Sequence, residues 1–237
     1  MPRNIPKSSA AAVLGATILV CAATAGIAQA QDDWVRIPAP AGNTDSKPAP
    51  DASSQSTPEA SIYRHLGSDD APLTIVEYSD YQCPYCRQQE AALHQVLTKY
   101  DGQVRLIYRD FPMHQHSMDA AMAARCADEQ GQFWPYHDAL QHNGANLSTE
   151  GLETTARDLG LDLESFDSCL EDRKYEQAVL ADQQMGVKSG VSGTPCLIIG
   201  DSRSVPDTRV GSLELTGAQP AAALESAIEN QLRKSAN

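Results

Sequence analysis

Two cysteines stand two residues apart where an apolar, β-branched run gives way to a pattern with helical period. The stretch reads Glu77-Tyr78-Ser79-Asp80-Tyr81-Gln82-Cys83-Pro84-Tyr85-Cys86-Arg87. This junction constrains the fold more than any other feature, because it needs a strand that delivers the pair to a helix N-terminus. Pro84 suits the first helical position, where its missing N–H costs nothing. The unpaired amides and the dipole of that helix end stabilise a thiolate at Cys83. Cys86, one turn along, is expected to face inward. The spacing therefore predicts one exposed nucleophile and one covered resolving thiol, the arrangement needed for reversible thiol–disulfide chemistry. Half of a zinc site also uses C-x-x-C but needs two further ligands, usually a second close pair, and no second C-x-x-C exists. A purely structural bridge is the other alternative, although so short a loop stabilises weakly.

Composition narrows the setting. A chain of 237 residues holds one substantial domain plus processing and linker segments. A net charge of −13 argues against nucleic acid or an anionic membrane surface as a partner. The N-terminus reads as an export signal, with Arg3 and Lys7 before the apolar, small-residue run Ala10 to Ile27. Ala28-Gln29-Ala30 then fits a small-x-small cleavage site, so residues 1–30 are expected to be removed. The alternative is an uncleaved membrane anchor, since the run is nearly long enough to span a bilayer. Val20 is too bulky for lipidation at Cys21. Export to an oxidising compartment such as the periplasm makes stable disulfides possible. Removing the signal leaves Cys83, Cys86, Cys126, Cys169 and Cys196, one of which lacks a partner.

Residues 31–60, rich in Pro, Ala, Ser and Asp, cannot bury enough surface to offset their ordering entropy and read as a disordered linker. The folded part is expected over 61–232. Leu73 to Tyr78 reads as a strand. Glu77 interrupts it, either on an exposed face or as a buried proton acceptor under the dithiol. Leu93, Val96, Leu97 and Tyr100 continue the helix, which Asp101-Gly102 ends. Val104 to Tyr108 is a second strand, and strand–helix–strand implies a parallel pair.

From about 113 to 190 the sequence reads as helices, a block inserted into an α/β frame. Ser117 is a candidate cap for the first, with Met118, Met122 and Cys126 on one face. Phe133, Trp134, Tyr136 and Leu140 supply the core of the next. Ser148 and Asp162 read as further caps, and a last long helix is expected from roughly Glu171 to Val187. His114 and His116 are better read as loop histidines than as a metal site, and His137 and His142 as surface or boundary residues. Cys126 and Cys169 lie on different helices, where pairing would stabilise by about 4 kcal/mol; two separately buried thiols are the alternative. The frame returns at Gly193-Thr194-Pro195-Cys196, with Pro195 opening an apolar strand. Base rates alone favour a trans bond before Pro195. A weak edge strand, Val210 to Leu215, and a C-terminal helix from Gln219-Pro220 through Leu232 close the chain.

These residues together resemble the DsbA-like branch of the thioredoxin superfamily. The likeness is carried by the strand running into Cys83-Pro84-Tyr85-Cys86, by Cys126-Ala127 with Gln130-Gly131-Gln132-Phe133-Trp134, by Val191-Ser192-Gly193-Thr194-Pro195, and by the closing helix. The resemblance implies an α/β thioredoxin fold with an inserted helical domain and an exported thiol:disulfide oxidoreductase without cofactor or metal, expected as a monomer. It implies that Cys83 forms mixed disulfides with thiols of unfolded client proteins, that Cys86 resolves them, and that Glu77 is a buried acid serving Cys86. It also implies a cis bond at Thr194-Pro195, with the Thr194 backbone pairing to an extended client, and a membrane redox partner. Disulfide donation is the expected direction; reduction or isomerisation, or redox-silent client binding, are the rivals. Two departures stand out. Tyr85 replaces the histidine of strongly oxidising relatives, which implies a less oxidising disulfide. Cys196 follows the proline directly, either as an inert buried thiol or as a trap for Cys83 or a substrate.

Overall fold

The computed structural model describes residues 64–143, 146–203 and 212–235. The signal, the linker, Cys21 and the start of the expected final strand lie outside the described residues. The elements run β1 (Arg64–Leu66), β2 (Leu73–Ser79), α1 (Pro84–Lys99), β3 (Val104–Asp110), then five helices. These are α2 (Ser117–Asp128), α3 (Phe133–Asn143), α4 (Thr149–Asp158), α5 (Leu163–Glu171) and α6 (Glu176–Lys188). β4 (Cys196–Asp201), β5 (Leu213–Thr216) and α7 (Ala221–Ser235) complete the chain. This is the expected α/β thioredoxin fold with a helical insert between β3 and β4.

The sheet order is β1-β3-β2-β4-β5. β2 and β3 are parallel, as their crossover helix requires; the other pairs are antiparallel. β2 lies at the centre and is buried along its whole length. Its two-residue period sends Leu73, Ile75 and Glu77 to one face and Thr74, Val76 and Tyr78 to the other. The first face meets α1 and α7 in a core of Leu93, Val96, Leu106, Leu197, Leu224 and Ile228. Tyr78 and Val76 pack on the other face with Phe111, Val191 and Ile198.

A separate core holds the insert together, centred on the alanine-rich α2 with Tyr136, Leu140, Leu152 and Phe166. Small residues let α2 sit among its neighbours at close range. Cys126 of α2 and Cys169 of α5 form a disulfide. Where α6 crosses the sheet, Gly186 is required by contact: a Cβ there would come within 2.8 Å of Phe111 and 2.9 Å of Tyr78. A buried ionic cluster joins insert to sheet. Arg125 of α2 donates from Nε to Asp110 at 2.7 Å and from its fork to Asp182 of α6, and Arg109 of β3 donates to the same Asp182 at 2.6 Å.

The structure departs from the sequence expectations at four places, one in the frame and three in the insert. β1 is an added edge strand antiparallel to β3, too short to show a pattern. Ser117 does not cap α2; the cap position is His116, with no side-chain bond, and the Ser117 hydroxyl donates to Asp80 instead. The last helix of the insert begins at Glu176 rather than near Glu171, because the chain turns at 172–175, where Arg173 takes a positive φ of 50°. Arg173 and Lys174 pair there with Asp119 and Glu129, which pins the turn to α2 and its C-terminal cap. His137 is 1% exposed rather than at the boundary. Its ring is enclosed by Tyr108, Phe133 and Trp134, and a hydrogen bond to the Tyr81 hydroxyl serves the buried polar ring in place of water. Ser148 and Asp162 do cap α4 and α5, accepting from Gly151 and Ser165.

Candidate active site

β2 ends at Ser79, and Asp80 fixes the loop that follows. Its Oδ1 accepts from the Gln82 N–H at 2.7 Å, and its Oδ2 from the Met113 N–H at 2.6 Å and from His114. One carboxylate thus ties the C-x-x-C loop to the segment leaving β3. His114 serves this junction through its ring Nδ1, 2.9 Å from Asp80, and His116 bonds Gln82 through its N–H.

Cys83 is the N-cap of α1 with Pro84 at the first helical position, which puts the residue at the positive end of the helix, although its side chain makes no cap hydrogen bond. It is 5% exposed, less open than the sequence suggests. The cover comes from the loop before β4: the Thr194-Pro195 bond is cis, and the Cys83 Sγ lies 3.6 Å from the Thr194 carbonyl as donor. Cys86 is fully buried, its sulfur accepting from the Asp80 N–H at 3.4 Å. Burial, and less strongly the Glu77 carboxylate, push its thiol up. Between them Tyr85 is 62% exposed.

Glu77 is buried, so the exposed-face alternative does not hold. Neither carboxylate oxygen has a hydrogen-bond partner. Burial first and the Glu90 carboxylate second raise its pKa well above the usual range. Glu90, one turn beyond Cys86 on the buried stripe of α1, was not foreseen. Burial and the Asp138 carboxylate push it up to about 8. Its Oε1 lies 3.4 Å from His137 Nε2, whose Nδ1 shares a 3.0 Å hydrogen bond with the Tyr81 hydroxyl. Burial lowers His137 to about 4, so the ring is neutral near pH 7. The i, i+4 relation of Cys86 and Glu90 was the signal for this acid. His137 and Asp80 had no comparable signal, because their roles depend on separate segments meeting.

Cys196 is buried at the start of β4, with its sulfur 3.6 Å from Glu214 Oε1. Among the described residues, no cluster of three His, Cys, Asp or Glu is arranged to hold a metal ion.

A strand-to-helix dithiol faced by a cis-proline loop belongs to thioredoxin-fold redox proteins. Residues 60–230 match the family model described as Thioredoxin, and the chain belongs to that family. It is similar to a thioredoxin-like oxidoreductase from Silicibacter pomeroyi, 30% identical, with a TM-score of 0.62 over 73% of this chain and 92% of that one. Pseudomonas aeruginosa DsbA2 is 25% identical, with a TM-score of 0.56 over 70% of this chain and 92% of the other. A Salinispora tropica protein named Na(+)/H(+) antiporter NhaA 3 is 39% identical over 140 residues. That match takes in 58% of this chain and 21% of the relative, so the chain spans about a fifth of such relatives' length.

Proposed function

We propose that Cys83 and Cys86 are the redox pair and that the protein donates their disulfide to exported, unfolded clients. A client thiolate attacks the Cys83 sulfur, the Cys83–Cys86 bond breaks, and Cys86 leaves as a thiolate that takes a proton from Glu77. A second client thiolate then attacks the client sulfur of the mixed disulfide. The client gains a disulfide and loses two electrons, and Cys83 leaves as a thiolate at the helix N-terminus. A membrane redox partner reoxidises the pair.

The observation that carries this reading is the asymmetry of the pair: Cys83 at the helix end against the Thr194 carbonyl, Cys86 wholly covered. The Thr194 backbone beside Pro195 is suited to pair with an extended client chain. The exposed side chains of Tyr85 and Met113 offer apolar contact nearby. Export rests on the N-terminal signal pattern, and no helix of the described residues is long and apolar enough to cross a membrane.

One observation favours a second reading. Tyr85 brings no cation to the thiolate, which suits a less oxidising pair kept reduced as a reductase or isomerase. Equilibration with glutathione buffers and thiol labelling decides between the two. A potential at or above about −180 mV means disulfide donation, and one near that of thioredoxin overturns it in favour of reduction. Cys83→Ser is expected to abolish turnover; unchanged client affinity together with no turnover in the native protein would leave only a binding module.

A further inference from the structure

Gln89 stands on the buried side of α1, one turn beyond Cys86, and is fully covered. A carboxamide in that position costs free energy unless its polar ends are met. Here both ends are met by one residue. Gln89 Oε1 accepts from the Gln219 N–H at 2.7 Å, and Gln89 Nε2 donates to the Gln219 carbonyl at a longer 3.5 Å. A side-chain amide of α1 thus pairs with the backbone of the loop between β5 and α7, much as a neighbouring strand would.

From Gln219 the contacts run back to the dithiol. Its own Nε2 donates to the carbonyls of Thr216 and Gly217, each at 3.1 Å. The Gly217 N–H donates to the Pro195 carbonyl at 2.8 Å, just past the point where Thr216 of β5 stands opposite Cys196 of β4. Gly217 takes a φ of 79°, the left-handed conformation that turns the chain there. The cis bond joins Pro195 to Thr194, whose carbonyl lies 3.6 Å from Cys83 Sγ. Cys83 in turn is the N-cap of the helix that carries Gln89. The contacts therefore close a ring from α1 through Gln89, Gln219, Gly217, Pro195 and Thr194 back to α1. Removing the Gln89 amide opens it and takes from the Gln219 N–H its 2.7 Å acceptor.

We propose that Gln89 is a positioning residue for client binding: by holding the Gly217–Gln219 turn against α1, it sets the Thr194–Pro195 edge at the distance from Cys83 at which an extended client pairs with it. The proposal rests on the reading of the Thr194 backbone as the strand partner of the client. Gln89 makes its two hydrogen bonds to backbone and takes no part in the covalent step. What its loss removes is alignment, which weighs on clients that use the edge more than on thiols that do not.

The test compares two peptides of one sequence, each carrying two cysteines, as reductants of the oxidised protein. In one of them the backbone amides flanking the cysteines are N-methylated, so that it cannot pair with an edge. Quenched thiol labelling of Cys83 and Cys86 gives the rate of reduction by each. The native protein is expected to react about tenfold faster with the plain peptide than with the methylated one. Gln89→Leu keeps the bulk and removes both hydrogen bonds, and is expected to lower that ratio to about twofold. A role in stability alone predicts an unchanged ratio, because a loosened fold alters both rates together. If Gln89→Leu does not fold, Gly217→Ala strains the same ring at another point: the added Cβ meets nothing within 4 Å, but a φ of 79° disfavours any side chain. The same fall in the ratio is expected. A native ratio kept by the folded variant overturns the role of Gln89 and leaves client pairing standing. A native protein that reacts equally with both peptides overturns pairing at Thr194 itself, and the role of Gln89 with it.

Discussion

Replacing Glu90 by Gln is expected to change how stability depends on pH. The acid titrates near 4.5 in the unfolded chain and near 8 in the folded one, because burial and Asp138 disfavour its charge. Between those values the folded protein holds a proton that the unfolded chain has released. Stability therefore falls as pH rises through this window, by about 1.4 kcal/mol per unit. From pH 5 to pH 7 the loss from Glu90 is on the order of 3 kcal/mol. Glutamine is neutral in both states and carries no such loss. Urea unfolding of the oxidised proteins at pH 5, 6 and 7 measures it, with the dithiol removed from the titration. Relative to native protein, Glu90→Gln is expected to gain about 3 kcal/mol between the two ends of the series. Parallel stability curves would refute the claim that Glu90 is held protonated in the fold.

Two further expectations concern the insert. Replacing both Cys126 and Cys169 by Ala opens a loop of 43 residues and is expected to cost about 4 kcal/mol in urea unfolding. The glutathione equilibrium of Cys83 and Cys86 should stay unchanged, and a shifted potential would show that the staple reaches the active site. Arg125→Met takes from buried Asp110 its ion-pair partner and leaves Asp182 paired with Arg109, for an expected loss of about 3–5 kcal/mol. A loss below 1 kcal/mol would mean that Arg109 satisfies both carboxylates unaided.

Local patterns in the sequence determined a good deal of this protein. The strand into Cys83-Pro84-Tyr85-Cys86 foretold the N-cap position of Cys83 and the inward turn of Cys86, because both follow from helix geometry within four residues. The caps Ser148 and Asp162 were legible for the same reason, and the parallel pairing of β2 and β3 and the insert between β3 and β4 followed from the order of the elements. The order of motifs identified the family. What the tertiary structure alone decided involves residues far apart in the chain. Glu77 lies on one strand face, and only the packing of α1 over that face made it a buried acid beside Cys86 and Glu90. His137 looked like a boundary residue until Tyr108, Phe133 and Trp134 closed around it. Asp80, Asp110 and Asp182 carry ordinary carboxylates whose partners come from β3, α2 and the loop before α2. Periodicity reports which side of its own element a residue faces. It says nothing of what will stand opposite, and burial and proton affinity are set by that opposite surface.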